Sequence, residues 1–360
     1  MRKINLSLTT RIFSMTILLL GFGLIMIYSA SVAEGARDFG NKWHFVLLQL
    51  KWASVGLFGM MITSFIPPKI WEKLAPILLL VGLLLLFMVV IPGIGTKVQG
   101  ARRWLVLPGI TIQPSELMKF IEIIYLSSWL HSKKISLPQF GFFTAITSGL
   151  IMLQPDMGTT LVVVSIAIAM YFLSGYPVKH LLSIGLFAVV IGVILIIAEP
   201  YRLDRVKTFI DPLHDTQGSS YHIRQVLLSL GSGGMTGLGI GRSRQKYAYL
   251  PESTTDSIFA VVGEELGFIG GVALILAFLY YLSLIFKVAT AEHDKFASTM
   301  VAGVGAWIGL QVCLNLAAMT ALTPLTGVPL PLVSYGGSAL ITMLGGIGLV
   351  LSVARHQKNG

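Results

Sequence analysis

The chain has 360 residues, 54% of them hydrophobic and only 12% charged, with a formal net charge of +10 and a mean hydropathy of +0.80. A soluble domain of this length needs far more polar surface to cover its core, so a water-soluble globular fold is excluded. With Cys313 as the one cysteine, a disulfide framework and a cysteine-based metal site are excluded as well.

Apolar runs recur from end to end, each near the ~20 residues that carry a helix across a hydrocarbon core. In chain order they lie near 12–31, 45–66, 74–92, 112–130, 139–154, 158–174, 180–198, 257–286, 298–319 and 338–354. The pattern predicts an all-α polytopic membrane protein of about ten transmembrane helices, a single domain over 1–360. The first run follows Arg2, Lys3 and Arg11 and ends in SASVAE, which mimics a signal peptide. It is long for a cleaved signal and more spans follow, so it reads as an uncleaved first helix.

An even helix count puts both termini on one side. With Arg2, Lys3 and Arg11 inside, the inner segments also collect Lys69, Lys73, Lys133, Lys134, Lys179, Lys287, Lys295, Arg355 and Lys358. These short segments hold twelve of the 26 Lys and Arg residues, which places both ends in the cytoplasm. The outer side has one long loop, 199–256, carrying Arg202, Arg205, Lys207, Arg224, Arg242, Arg244 and Lys246. Long loops escape the orientation rule. Within this one, Ser220–Leu230 reads as a short helix, and a loop of such length tends to be functional or disordered. A basic segment at 93–111, with Arg102 and Arg103, and a Pro/Gly-rich one at 321–337 complete the outer face.

Three sets of charged groups sit at or in apolar spans. QPSELMKFIE puts Glu116, Lys119 and Glu122 inside the fourth helix, and the three-residue spacing of Glu116 and Lys119 lets them pair on one face. Ionisable groups at membrane depth usually face a bundle interior or a water-filled cavity, though a purely structural pair is an open reading. LQPDMGTT places Asp156 in a tight outer turn, where capping of the sixth helix explains it adequately. YLPESTTDSIFAVVGEELGF sets Asp256 at the start of the eighth span, ten residues before an uncharged run and so about 15 Å further out at helical rise. Asp256, Ala260, Gly263, Gly267 and Gly270 would share one helical stripe of small residues that faces the bundle.

GSGGMTGLGIGRS has no nucleotide-loop spacing, and it lies on the outer face. It reads either as a flexible connector or, beside Arg242, Arg244 and Lys246, as backbone that embraces a phosphate. His214 and His222 stand in the outer loop without evident partners. An anionic, lipid-linked substrate fits this arrangement, and a generic amphiphile transporter fits almost as well.

The run GSGGMTGLGIGRSRQKYAYLPESTTDSIFAVVGEELGFIGG resembles the signature of the SEDS family, the shape, elongation, division and sporulation proteins. GARRWLVLPGITIQPSELMKF, LQPDMGTTL, YHIRQVLLSLGSGG and PLTGVPLPLVSYGGSALI agree in the same order, so the resemblance covers nearly the whole chain. GIGRSRQKYAYLPE resembles the FtsW (division) branch more than the RodA (elongation) branch. Ser257 and Leu332 depart from the family, which usually has Phe at both places.

The resemblance implies a peptidoglycan glycosyltransferase that polymerises lipid II on the outer face of the bacterial cytoplasmic membrane. Asp256 matches the family's essential aspartate and would be the general base on the 4-hydroxyl of the acceptor. Arg102, Arg103, Lys119, Arg224 and Lys246 are the candidates for neutralising the pyrophosphate leaving group, with Gln225 beside Arg224. The Glu116/Lys119 pair matches a functionally important intramembrane pair, and Asp156 would line the same cavity. The family implies a divalent cation (Mg or Mn) and a class B penicillin-binding protein as partner, among other division or elongation proteins. No organic cofactor and no nucleic acid are expected. A lipid II transporter and a non-catalytic scaffold are the competing readings.

Overall fold

The computed structural model describes residues 7–98, 101–107, 110–132, 135–198, 200–210, 220–246 and 250–357. Arg2, Lys3, Lys133, Lys134, His214 and Lys358, named above, lie outside the described residues. Ten long helices fall where the apolar runs predict them: α1 (Leu8–Phe39), α2 (His44–Phe65), α3 (Pro68–Val90), α4 (Pro114–Ser132), α5 (Leu137–Met152), α6 (Met157–Leu173), α7 (Val178–Ala198), α10 (Ile258–Ala291), α11 (Lys295–Met319) and α12 (Gly337–His356). Two shorter helices, α8 (Pro200–Ile210) and α9 (Tyr221–Gly233), lie in the long outer loop.

Among the described residues, six of the helices are long and apolar enough to cross a membrane by length and composition, and α5 and α6 are shorter apolar helices. Phe58, Leu80, Phe87, Leu182 and Leu186 are exposed on α2, α3 and α7. A bilayer covers such a surface, and water does not. The middle of the bundle is formed by α4, α11 and α12, where Trp307, Met118 and Leu344 are fully buried. The first helix does not stop at residue 31. It runs on through SASVAEGARDF to Phe39, where Gly40 caps it in a left-handed conformation.

The basic segment at 93–111 is more than a connection. It folds into a three-stranded antiparallel sheet of β1 (Thr96–Val98), β2 (Ala101–Leu107) and β3 (Ile110–Ile112), in the order β1-β2-β3. Its β-branched residues support strands, but the stretch is too short for its alternation to stand out. Ser338 fastens it to the bundle, donating from Oγ to the Thr111 carbonyl and accepting from the Gln113 N–H.

The predicted stripe of small residues on the eighth span is corrected at Gly267, where the helix breaks. Gly267 has φ 67° and ψ −168°, so Ile258–Leu266 and the part beyond it are two helical pieces. Asp256 itself lies in the turn before the helix, with Ser257 at the N-cap. The break deprives Phe268 and Ile269 of the carbonyls of Glu264 and Glu265. The glycine run supplies what is lost. Leu238 and Gly239 donate to the Glu264 and Glu265 carbonyls at 3.0 and 2.9 Å, and Phe268 and Ile269 donate to those of Gly234 and Met235 at 2.9 and 3.1 Å. A buried break needs such partners. The glycine run is thus neither a connector nor a bare phosphate nest, because its backbone completes the helix.

A Cβ on Gly267 would collide with the Gly237 nitrogen and come within 2.6 Å of the Met235 oxygen. Left-handed strain and a backbone clash together give Gly267→Ala an expected cost of about 2–5 kcal/mol. Thermal unfolding of the purified variant in detergent checks this, and an unchanged midpoint would contradict it.

Candidate active site

A cavity of about 960 Å³ opens at the end of the bundle that carries the sheet and the long loop. Arg103 on β2, Glu116 on α4, Asp156 before α6 and Asp256 before α10 all line it, so four of the residues singled out in the sequence converge. Asp204 on α8, Glu252, His222 on α9 and Tyr335 in the Pro/Gly-rich connection join them. Its volume suits a sizeable ligand.

Asp256 is 7% exposed, and its place is set through the backbone. Asn315 on α11 donates from Nδ2 to the Asp256 carbonyl and to that of Val328, both at 2.8 Å. Ser334 Oγ donates to the Thr255 carbonyl at 2.5 Å, and the Tyr335 N–H donates to that of Thr254 at 2.8 Å. The segment PLPLVSYGG therefore clamps the turn that presents the carboxylate. Three backbone anchors on three consecutive residues make a rigid mount.

Asp156 is the N-cap of α6, as its sequence context predicts. Its Oδ1 accepts from the Thr159 N–H at 3.0 Å, and its Oδ2 accepts from Thr159 Oγ1 at 2.9 Å and Gln113 Nε2 at 3.1 Å. Capping and cavity lining coincide in one side chain. Arg103 donates to the carbonyls of Gln154 and Pro155, which ties the sheet to the turn carrying Asp156.

Glu116 and Lys119 pair as their spacing predicts, with Nζ 2.7 Å from Oε1. Lys119 is 1% exposed and does not line the cavity. Its ammonium also donates to Gln311 Oε1 at 3.3 Å and lies 5.4 Å from the Trp307 ring centre. Glu122, a turn deeper, is buried, and neither of its oxygens has a hydrogen-bond partner among the described residues.

The cations offered for the leaving group separate. Arg103 lines the cavity, whereas Arg102, Lys119, Arg224 and Lys246 are not among its described lining residues, and neither is Gln225. Arg224 is exposed, and Arg102 and Gln225 are half-buried. Lys246 turns inward, with Nζ 3.2 Å from Glu265 Oε1, and it also donates to the Gly241 carbonyl at 2.7 Å. Glu265 further accepts from Ser29 on α1 at 2.6 Å, and the neighbouring Glu264 accepts from Ser243 and the Arg244 N–H. This buried network fastens the basic loop to α10, so Lys246 holds the site's frame.

Replacing Lys246 by Met leaves Glu265 with its bonds from Ser29 and from the Ser243 N–H. The expected cost is therefore about 2–3 kcal/mol, below that of a pair left with nothing. Hydrogen exchange over residues 238–246 is expected to quicken. Unaltered protection there would contradict the assignment.

The sequence left His222 without an evident partner, and the structure joins it to Ser257 at 2.7 Å; sequence reasoning passed over Tyr335, whose phenol burial pushes above its ordinary pKa. Both lie inside stretches quoted for the family resemblance, but nothing local marks them. Among the described residues, no group of three or more His, Cys, Asp or Glu side chains converges as a metal cage.

Against this geometry the comparisons are decisive. The family model for the FTSW_RODA_SPOVE cell cycle proteins matches residues 10–359. The chain belongs to this family. Stage V sporulation protein E of Bacillus subtilis (strain 168) is 38% identical over 350 residues, covering 95% of this chain and 96% of the relative. The probable peptidoglycan glycosyltransferase FtsW of Trichlorobacter lovleyi is 38% identical over 351 residues, covering 96% and 92%. Among solved structures, a chain described under structural coordination of polymerization and crosslinking by a peptidoglycan synthase complex superposes with a TM-score of 0.80. It shares 29% identity and covers 97% of this chain and 98% of its own. The rod shape determining protein RodA of Thermus thermophilus gives a TM-score of 0.71 at 29% identity, with 96% of each chain covered. The FtsW-like family member keeps the whole ten-helix frame, and the cavity lies inside it.

Proposed function

We infer that this family member is a peptidoglycan glycosyltransferase that joins lipid II units into glycan strands, serving cell division or cell shape. The single observation that carries the reading is the buried Asp256, clamped through Asn315, Ser334 and Tyr335 at the wall of the cavity.

Asp256 takes the proton of the acceptor's 4-hydroxyl. The hydroxyl oxygen forms the new bond to the donor's anomeric carbon, and the bond from that carbon to the diphosphate oxygen breaks. Undecaprenyl pyrophosphate leaves with the electron pair. General-base assistance of this kind typically contributes about 10²–10⁴-fold. The lipid tails hold both substrates near headgroup level, which removes much of the entropic cost of bringing them together. We place the cavity on the extracytoplasmic side and both termini in the cytoplasm, supported by Arg11, Lys69, Lys73, Lys179, Lys287, Lys295 and Arg355 on the inner segments.

A Mg or Mn ion would be shared between the substrate's diphosphate and one or two of the cavity carboxylates, where it would offset charge on the leaving group. No step here is routed through it. The solved relative belongs to a complex named for polymerization and crosslinking, which supports a crosslinking partner of the class B penicillin-binding type.

Vesicles carrying the protein, that transpeptidase and lipid II test the reading. Glycan polymer without transfer of lipid II between leaflets is the expected result. Transfer without polymer would replace the enzyme with a transporter, and neither activity from the intact complex would leave a scaffold.

A further inference from the structure

Aromatic side chains from four elements line the cavity: Trp52 on α2, Trp104 on β2, Phe209 on α8 and Tyr335 before α12. Two of these rings are engaged. Lys51 Nζ lies 5.1 Å from the centre of the Trp52 ring, and Tyr335 meets Phe45 edge-on at 5.5 Å. Among the described residues no ring or cation stacks on Trp104, and the residue is only half-buried. An indole ordinarily hides its large apolar face against protein. Here part of that face is left to the cavity.

The strand holds Trp104 in place. Arg103 donates to the carbonyls of Gln154 and Pro155, Trp104 pairs with Thr96, and Leu105 pairs with Ile112. Ser338 of α12 fastens the neighbouring strand through Thr111 and Gln113. β2 lies between the end of α3 at Val90 and the start of α4 at Pro114, so it stands past the apolar spans. A polyprenyl chain stays among lipid tails, and what reaches Trp104 is the polar end of the substrate. Polar side chains share this cavity, among them Gln113, Glu116, Asp156 and Thr159. A pyranose ring has a matching double nature, with C–H groups on its faces and hydroxyls around its rim. A flat apolar surface with carboxylates and an amide nearby is what such a ring requires.

We propose that Trp104 is a substrate-binding residue for sugar, its indole face taking the C–H face of a pyranose ring in the lipid-linked disaccharide. The proposal rests on the glycosyltransferase reading and names the part of the substrate that this wall recognises. Stacking removes apolar surface of both partners from water. The anchored strand adds to the effect, because a ring already held in place loses little freedom on binding.

The test measures binding of three lipids to the full-length protein: lipid II, lipid II trimmed of its stem peptide, and undecaprenyl pyrophosphate. Trp104→Leu keeps apolar bulk at the position and removes the aromatic face. It is expected to weaken binding of both sugar-bearing lipids about tenfold and to leave undecaprenyl pyrophosphate unchanged. Trp104→Phe keeps a smaller ring and should lose about threefold with the same selectivity. The milder variant carries the test if Trp104→Leu does not fold, which thermal unfolding shows. Equal losses for all three lipids would assign Trp104 to the diphosphate or the chain and overturn the proposal. A loss confined to lipid II with its peptide would overturn it too, as would undiminished binding by the folded variants. Polymer formation is assayed apart. A wild type that binds the sugar-bearing lipids through Trp104 yet makes no polymer would remove the enzyme reading and leave the sugar contact standing.

Discussion

Asp256→Asn is expected to leave a folded, lipid-binding protein whose polymer formation falls about 10²–10⁴-fold, the usual worth of a general base. The substitution keeps the shape of the side chain and removes its ability to accept a proton. Folding should survive, because the turn keeps the anchors on its carbonyls. Asn315 grips the Asp256 carbonyl, and Ser334 and Tyr335 grip the carbonyls of Thr255 and Thr254. Thr255 Oγ1 lies a long 3.5 Å from the carboxylate's Oδ1. Gel separation of glycan products, beside a thermal unfolding curve, checks both halves. Polymer at the wild-type level would remove Asp256 from the chemistry.

The largest expected loss of stability follows Lys119→Met. The ammonium is 1% exposed and donates to Oε1 of Glu116, whose second oxygen, Oε2, has no partner among the described residues. Removing the lysine strands a carboxylate inside the bundle and frees the Gln311 carbonyl oxygen from one of its two donors, leaving Trp307 Nε1. A buried pair broken from one side costs about 3–5 kcal/mol. The double variant Lys119→Met with Glu116→Gln should recover part of that, since the stranded charge goes too. A thermal unfolding cycle over the four proteins measures the coupling. Additive losses would mean the two side chains do not act as a pair.

The helical frame was legible because lipid imposes a plain rule: apolar runs of fixed length, interrupted by polar connections. The Glu116–Lys119 pair and the Asp156 cap were legible for a similar reason, since each is a local contact over three residues. What the sequence hid is non-local. Gly267 breaks α10 only because Gly234, Met235, Leu238 and Gly239 stand ready to take its hydrogen bonds, some thirty residues earlier. Lys246 read as an outward cation, yet Glu265 and Ser29 draw it inward from two other helices. His222 and Ser257 are 35 positions apart, and no spacing rule pairs them. The sheet at 96–112 escaped because its strands are three to seven residues long.

The central claim is that Asp256 performs the chemical step at a preformed mount. Single-turnover conversion of pre-bound lipid II, at saturating lipid and with the transpeptidase partner present, tests it most directly. Wild type is compared with Asp256→Asn under conditions where both bind the lipid equally. Rapid glycosidic bond formation with release of undecaprenyl pyrophosphate in the wild type, and a slowed chemical step in the variant, is the predicted result. Equal single-turnover rates would contradict the account and move the catalytic base elsewhere in the cavity.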